Sequence, residues 1–403
     1  MTGTWLSVIG IGDDGPEGLS PRARRALDDA QTVFGGQRHL AMLDEPEKGV
    51  AWRSPIEASL PDIEAARPGP VAVLASGDPS WFGIAKLLQS HFPAGEIDIL
   101  PSPSAFSLAA AQLGSALEDV VCLSICGRPL DDVWPHLRPG GRLLVLSAGA
   151  HSPRELAEGL KRRGYGPSWL SVLEHLGGEQ ERVREIRAED FALGDVAALN
   201  LVAITCELAP GATHHTRVPG LPDEAFATDG TMTKRTLRAL AISSLAPMPG
   251  ERLWDIGSGS GSISIEWLRA APRTRAIAIE PREDRRALIG ENAVRLCVAG
   301  LDIRAGRAPE ALRDLPSPDA VFIGGGLSET VVNAAVAALP PGGRLVAHGV
   351  TIETQTLLAA CHEMRGGEMI RIGVETAEPL GRFRGWRPAM PVVHWHWTKT
   401  GIA

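Results

Sequence analysis

Two glycine-rich turns, and the carboxylates beside them, are the residues of this chain best suited to chemistry. In LWDIGSGSGSISIEW an apolar run ends at Asp255-Ile256. Gly257, Gly259 and Gly261 follow at alternate positions, and an apolar helical pattern then resumes. Glycine lets the backbone take positive φ and approach a ligand closely. The helix that follows offers N–H groups with no partner inside the helix. The next strand-like run, RAIAIE, ends at Glu280, where a carboxylate can accept both ribose hydroxyls of a nucleoside. The spacing is G-x-G-x-G after Asp-Ile, not G-x-G-x-x-G. Together with Glu280 it points to a nucleoside-bearing ligand.

The second constellation lies near the N-terminus. VIGIGDDG (8–15) is a strand running into a glycine turn, and LASGDPSWFG (74–83) carries Gly77-Asp78-Pro79. Asp78 has two readings, a ligand contact or a turn carboxylate, because Gly-Asp-Pro is good turn chemistry. The other reactive residue types give less. Cys122, Cys126, Cys206, Cys297 and Cys361 are scattered and odd in number, so neither a disulfide framework nor a metal set is expected. His214 and His215 fall in a polar linker and read as solvated. His394 and His396 alternate within VVHWHWT and read as one face of a strand rather than a metal pair.

These residues must be positioned by alternating elements. In the first half, runs at 71–78, 120–127, 142–149 and 199–205 read as strands, and 20–30, 104–114 and 152–164 as helices, each with a serine at or near its start to cap it. In the second half RLWDIG, RAIAIE, LDIRAG, AVFIGG and RLVAHGV alternate with helical stretches, and PVVHWHWTK adds a late strand. That is the signature of a doubly wound sheet. LAPGATHHTRVPGLPDEAF (208–226), rich in Pro and Gly, separates the halves. The expected organisation is a two-subdomain α/β unit over 1–210, a linker over 211–221, and a Rossmann-like doubly wound sheet over 222–403.

The second half resembles class I S-adenosylmethionine-dependent methyltransferases through the Asp255–Gly261 turn. More narrowly, it is similar to the C15-methylating, decarboxylating precorrin methyltransferases of cobalamin synthesis. The likeness rests on MTKRTLRA (232–239), GRAPEAL (306–312) and DAVFIGG (319–325). Arg307 stands where an acidic residue is usual before Ala308. The resemblance implies that Thr233, Gly257, Gly259, Gly261, Glu280 and Ala308 line a cofactor site. The first half resembles tetrapyrrole methylases through VIGIGDDGPEGLS, LASGDPSWFG and PSPSAFSLAAAQLG (101–114). Asp13-Asp14 replace the usual Pro-Gly and Ser102 replaces a Gly, departures that favour the C5-methylating branch. The matching cofactor contacts are Ser76, Gly77, Asp78, Ser104, Ala105 and Ala148.

Both resemblances in one chain imply a bifunctional enzyme with two S-adenosylmethionine sites and no metal. It would methylate C5 and C15 of a precorrin-6 macrocycle and decarboxylate the ring C acetate, giving precorrin-8X. Arg382, Arg384 and Arg387, in GRFRGWRPAMP, are suited to bind the carboxylates of such a substrate as forks. No catalytic acid or base is assigned. The rivals are an RNA methyltransferase and a non-catalytic tetrapyrrole carrier. A formal charge of -8 argues against an extended nucleic-acid footprint. MTGTWLSVIGIG lacks a basic, long apolar leader and reads as a first strand. No run approaches the ~20 apolar residues of a membrane span. A cytoplasmic homo-oligomer is expected, with no membrane or nucleic-acid partner.

Overall fold

The computed structural model describes residues 4–298 and 300–401. Met1, Thr2 and Gly3, part of the expected first strand, lie outside the described residues. The chain divides into two compact units, Met1–His214 and His215–Ala403.

The first unit holds two sheets. One is built from β1 (Leu6–Ile11), β2 (Thr32–Gly35), β3 (Gly49–Ala51), β4 (Val71–Ser76) and β5 (Ile97–Leu100), in the order β3-β2-β4-β1-β5. All its pairings are parallel. Such a sheet is buried on both faces, which is why VIGI and VAVLA read as unbroken apolar runs. Helices α1 (Pro21–Asp28), α2 (Gln37–Leu40), α3 (Leu60–Ala65) and α4 (Ala85–His91) connect it. After α5 (Ala105–Gln112) a second sheet forms from β6 (Val121–Ser124), β7 (Arg142–Leu146), β8 (Trp169–Glu174), β9 (Arg182–Arg187) and β10 (Asn200–Thr205), with α6 (Ser152–Arg162) between β7 and β8. Its order is β6-β7-β10-β8-β9.

Two of the three expected serine caps form. Ser20 accepts from Ala23 N at the start of α1, and Ser104 from Ser107 N at the start of α5. The third does not. His151 is the N-cap of α6, and Ser152, one residue inside the helix, accepts from Ala148 N at 3.0 Å instead.

The second unit opens with α7 (Arg235–Leu245). It continues as β11 (Arg252–Ile256), α8 (Ser262–Ala270), β12 (Arg275–Ile279), α9 (Glu283–Arg295), β13 (Leu301–Arg304), β14 (Ala320–Ile323), α10 (Glu329–Ala338), β15 (Arg344–Gly349) and α11 (Ile352–Arg365). β16 (Glu368–Ile372), β17 (Glu375–Leu380), β18 (Phe383–Pro388) and β19 (Val392–Thr398) complete it. The seven-stranded sheet runs β13-β12-β11-β14-β15-β19-β16, with β19 antiparallel to both neighbours. β17 and β18 form a separate hairpin. Leu253, Phe322 and Val346 on one face pack against Ala241, Ile242 and Leu245 of α7 and Trp267 of α8. The opposite face carries Ile256, Ile279, Val321, Ile323 and Trp395. The fold is α/β throughout, with a Rossmann-like second unit.

Candidate active site

The second unit's strand order turns around between β11 and β14. In open α/β sheets, ligands bind outside the carboxyl ends of strands at such a point. The Gly257–Gly261 turn sits there. Gly257 has φ +69, and a Cβ on it would lie 2.6 Å from the Cα of Gly325 beyond β14. The two loops therefore touch backbone to backbone. Gly261, at φ +78, faces the Ile289 side chain, 2.8 Å from where a Cβ would be. Gly259, at φ +60, is different. A Cβ on it would come within 4 Å of Thr231 O alone, at 3.7 Å, so its open side faces space that the protein does not fill.

Two carboxylates shape this turn. β12 ends at Ile279, one residue before the expected Glu280. Glu280 Oε2 accepts from Gly259 N at 2.9 Å and Oε1 from Arg282 N at 3.0 Å. Each oxygen keeps a lone pair, as a ribose diol requires. Asp255, fully buried at the end of β11, accepts on Oδ2 from Ser258 Oγ (2.7 Å), Ser264 N (3.1 Å) and Ser264 Oγ (2.7 Å). Its Oδ1 is buried with no partner among the described residues. Burial pushes the Asp255 carboxyl up, against the pull of those three donors. The cradle suits a nucleoside: one glycine opening outward, a carboxylate with spare acceptors, and a turn fixed from beneath.

Thr233 is not the N-cap of α7; that position is Lys234, whose side chain makes no cap bond. The Thr233 carbonyl instead accepts from Arg238 Nη1 at 2.6 Å. Arg238 is wholly buried and pairs through Nε with Glu266 Oε1 at 2.6 Å. Glu266 also accepts from Gly220 N and Leu221 N. The second arginine of MTKRTLRA, Arg238, is thus a clamp that ties residues 220–233 to the sheet through α8. Ala308 follows β13, with Arg307 O accepting from Ala311 N.

Arg382, Arg384 and Arg387 lie on or beside the β17–β18 hairpin, with exposed side chains. Arg387 pairs with Glu378 at 2.9 Å and Arg382 lies over the Phe383 ring. Trp386, between them in the sequence, is 72% exposed.

In the first unit, Ser76 ends β4 and is not a free ligand contact. Its Oγ bonds Arg38 Nη2 (3.1 Å) and His39 Nε2 (3.0 Å). Asp78 forms the turn expected of Gly-Asp-Pro, its Oδ1 accepting from Ser80 N at 2.8 Å. Gly77 has φ +58, and a Cβ on it would meet Pro103 O and Ser104 Cα at 3.0 Å. The 76–78 and 102–105 segments are therefore in close contact. Ala148 N, at the far end of β7, is taken by Ser152.

Sequence reasoning missed a side-chain network beside these residues. Asp13 Oδ1 accepts from Arg38 Nη1 at 2.9 Å, and Asp13 Oδ2 lies 2.9 Å from His175 Nδ1. Arg38 Nη2 also donates to His39 Nε2 at 2.8 Å. Burial first, and the Arg38 charge second, push the His39 imidazole down to about 4. Asp13 stood out in the sequence only as a departure from Pro-Gly. His175 gave no signal, being 162 residues away.

Residues 6–192 match the tetrapyrrole (corrin/porphyrin) methylases, and residues 224–399 match the precorrin methyltransferase domain. The chain is 50% identical over 398 residues to a protein of Sinorhizobium sp named precorrin-6Y C(5,15)-methyltransferase [decarboxylating], spanning 98% of this chain and 96% of that one. Two shorter relatives from Salmonella typhimurium each match under half of it. One is named cobalt-precorrin-7 C(5)-methyltransferase (34% identical, 44% of this chain, 88% of that protein). The other is named cobalt-precorrin-6B C(15)-methyltransferase (decarboxylating) (34%, 43% and 92%). Half of all aligned residues shared across nearly the full length places this chain in the precorrin-6Y C(5,15)-methyltransferase (decarboxylating) family, whose members are S-adenosylmethionine-dependent C-methyltransferases of cobalamin biosynthesis.

Proposed function

We propose that each unit carries its own S-adenosylmethionine site, and that the two divide one pair of methylations on a precorrin-6 macrocycle. The first unit methylates C5. The second methylates C15 and promotes loss of carbon dioxide from the ring C acetate, so that the product is precorrin-8X. The observation that carries this reading is the second unit's cradle: Gly259 opening away from the protein, over a turn held by Glu280. The tetrapyrrole-methylase match over 6–192 supports the first half of the assignment. The two relatives that carry the two activities on separate proteins support a division.

In the second unit Gly257, Gly259, Gly261, Thr233 and Ala308 surround the cofactor, and Glu280 holds its ribose. In the first, Gly77, Asp78, Ser104, Ala105 and Ala148 do so, and Ser76 serves through Arg38 and His39. When bound, S-adenosylmethionine supplies a sulfonium methyl that needs no further activation. The residues act by holding two reactants in line, which is catalysis by positioning. Arg382, Arg384 and Arg387 offer charged forks to substrate carboxylates. Among the described residues no helix is long and apolar enough to cross a membrane. The working picture is a cytoplasmic homo-oligomer that binds a tetrapyrrole and no nucleic acid.

Calorimetry tests the stoichiometry. Two S-adenosylmethionine sites per chain are expected, and one would remove the bifunctional reading. The product mass should show two methyl gains and one carbon dioxide loss.

A further inference from the structure

The Asp13 network has a feature that cofactor binding does not call for. Asp13 uses both oxygens, one on Arg38 and one on the His175 ring. An ionised carboxylate only accepts, so Nδ1 of His175 carries the proton and donates. That leaves Nε2 as the nitrogen with a lone pair. Nε2 takes part in no side-chain hydrogen bond of the described residues, and about a quarter of the side chain is exposed.

The chain gives up local freedom to keep this arrangement. His175 has φ +51, in the left-handed region that few residues other than glycine adopt. Strain of that kind persists where the surroundings fix it and gathers at functional sites. Gly178, three residues on, is where Asp13 comes close: a Cβ there would lie 2.6 Å from Asp13 Oδ2. A Cβ on the intervening Gly177 would lie 3.4 Å from Leu108 of α5, the helix capped by Ser104. The turn after β8 thus sets Gly177, two residues from His175, against α5, the helix that begins at the Ser104-Ala105 pair assigned above to the cofactor. His39 cannot serve the same end. Its Nε2 already accepts from Arg38, and it is nine-tenths buried.

We propose that His175 is the proton acceptor for methylation in the first unit, with Asp13 as the positioning residue that fixes the Nδ1–H tautomer, so that the neutral ring's lone pair is on Nε2, and Arg38 as the positioning residue that holds Asp13. This rests on the assignment of C5 methylation to that unit. The balance requires an acceptor. A carbon π pair of the macrocycle forms the new C–C bond, and the methyl–sulfur bond breaks with its pair going to sulfur. The macrocycle is left one positive charge richer, and one proton must leave it. His175 Nε2 takes that proton, and Asp13 stabilises the resulting imidazolium until solvent removes it. A carboxylate behind an imidazole does the same in hydrolases that use a His–Asp pair.

The test uses the full-length protein with precorrin-6Y and 13C-methyl-labelled S-adenosylmethionine, following the C5 and C15 methyl signals separately. Asp13→Asn keeps the shape but offers an NH2 to Nδ1, which moves the imidazole proton to Nε2. His175→Asn removes the base while tolerating the positive φ. Both are expected to lower the C5 rate by roughly 10²–10⁴-fold, the span of general base catalysis. S-adenosylmethionine affinity at both sites should stay within threefold, and C15 methylation should continue. Histidine 15N spectra of the wild type above pH 8 should show the Nδ1–H tautomer for the signal that His175→Asn removes, and Asp13→Asn should invert it. A C5 rate within tenfold of wild type in His175→Asn overturns the proposal, as does an Nε2–H tautomer in the wild type. A wild-type protein that binds no S-adenosylmethionine in its first unit sinks the underlying assignment instead, and calorimetry shows which has failed.

Discussion

Replacing Gly259 by alanine separates ligand-facing glycine from structural glycine. Alanine at φ +60 costs about 1–2 kcal/mol in left-handed strain. Loss of glycine's freedom in the unfolded chain returns roughly 0.4–1 kcal/mol. The new methyl meets only Thr231 O at 3.7 Å, an ordinary contact. The net destabilisation is therefore about 1 kcal/mol, or roughly 2–4 °C in Tm for a unit of this size. Cofactor binding should respond on another scale, because the methyl projects into the space the ligand needs. A weakening of at least a hundredfold, about 2.7 kcal/mol, is expected at one of two sites. Thermal unfolding and calorimetry on the full chain measure the two effects together. C15 methylation and carbon dioxide release should fall together while C5 methylation continues. Wild-type affinity at both sites in a folded Gly259→Ala protein would refute the reasoning, since the open side of Gly259 would then face no ligand.

Glu280→Gln should weaken the same site by about 2–4 kcal/mol, since its amide must turn a donor toward Gly259 N–H or Arg282 N–H and loses charge toward the ribose; calorimetry with unchanged far-UV circular dichroism checks it. Arg238→Met leaves Glu266 buried without its charge partner and should cost about 3–5 kcal/mol of second-unit stability in urea unfolding. The pH dependence of that unit follows from a buried histidine pair, His348 Nε2 to His394 Nδ1 at 3.0 Å, with His394 Nε2 bonded to Ser244 Oγ. Burial pushes both imidazoles down, His394 to about 4. The unfolded chain takes up these protons near 6.5 and the folded chain does not, so their contribution is complete above about pH 6.5. It is lost toward pH 4, at up to about 1.4 kcal/mol per pH unit for each ring. A His348→Phe, His394→Leu double variant should show a flatter urea midpoint between pH 7 and pH 4.5.

β1, β4 and β10 were legible because strands buried on two faces are apolar throughout, as in VAVLAS and LNLVAIT; β2, β3 and β5, only three or four residues long, and β8 were not read as strands. β9 was not, because RVREIR looks like a solvated stretch. Its arginines are spent on an ion-pair network: Arg182 and Arg184 meet the buried Glu174 carboxylate at 2.8 and 3.0 Å. β16, β17 and β18 were hidden for the related reason that they are largely exposed. The Gly257–Gly261 turn and Glu280 could be placed from local spacing, since one turn brings them together. The distinction between Gly259 and its two neighbours could not, because it depends on Gly325 and Ile289 arriving from distant elements. His175 and Asp13 meet only after the second sheet has formed, and no window of sequence contains both.

The order in which strands enter the sheets has a bearing on synthesis. β10, the last strand of the first unit, lies in the interior of its sheet between β7 and β8. β19 likewise lies between β15 and β16. In both units the strand that leaves the ribosome last is an interior one. Until it arrives, its two future neighbours carry unpaired N–H and C=O groups, the kind of open edge on which other chains add. Domains emerging during translation are exposed in this way for as long as the missing segment takes to appear. A nascent chain stalled before Asn200, or before Val392, therefore lacks the strand that joins two parts of its sheet, rather than a dispensable rim.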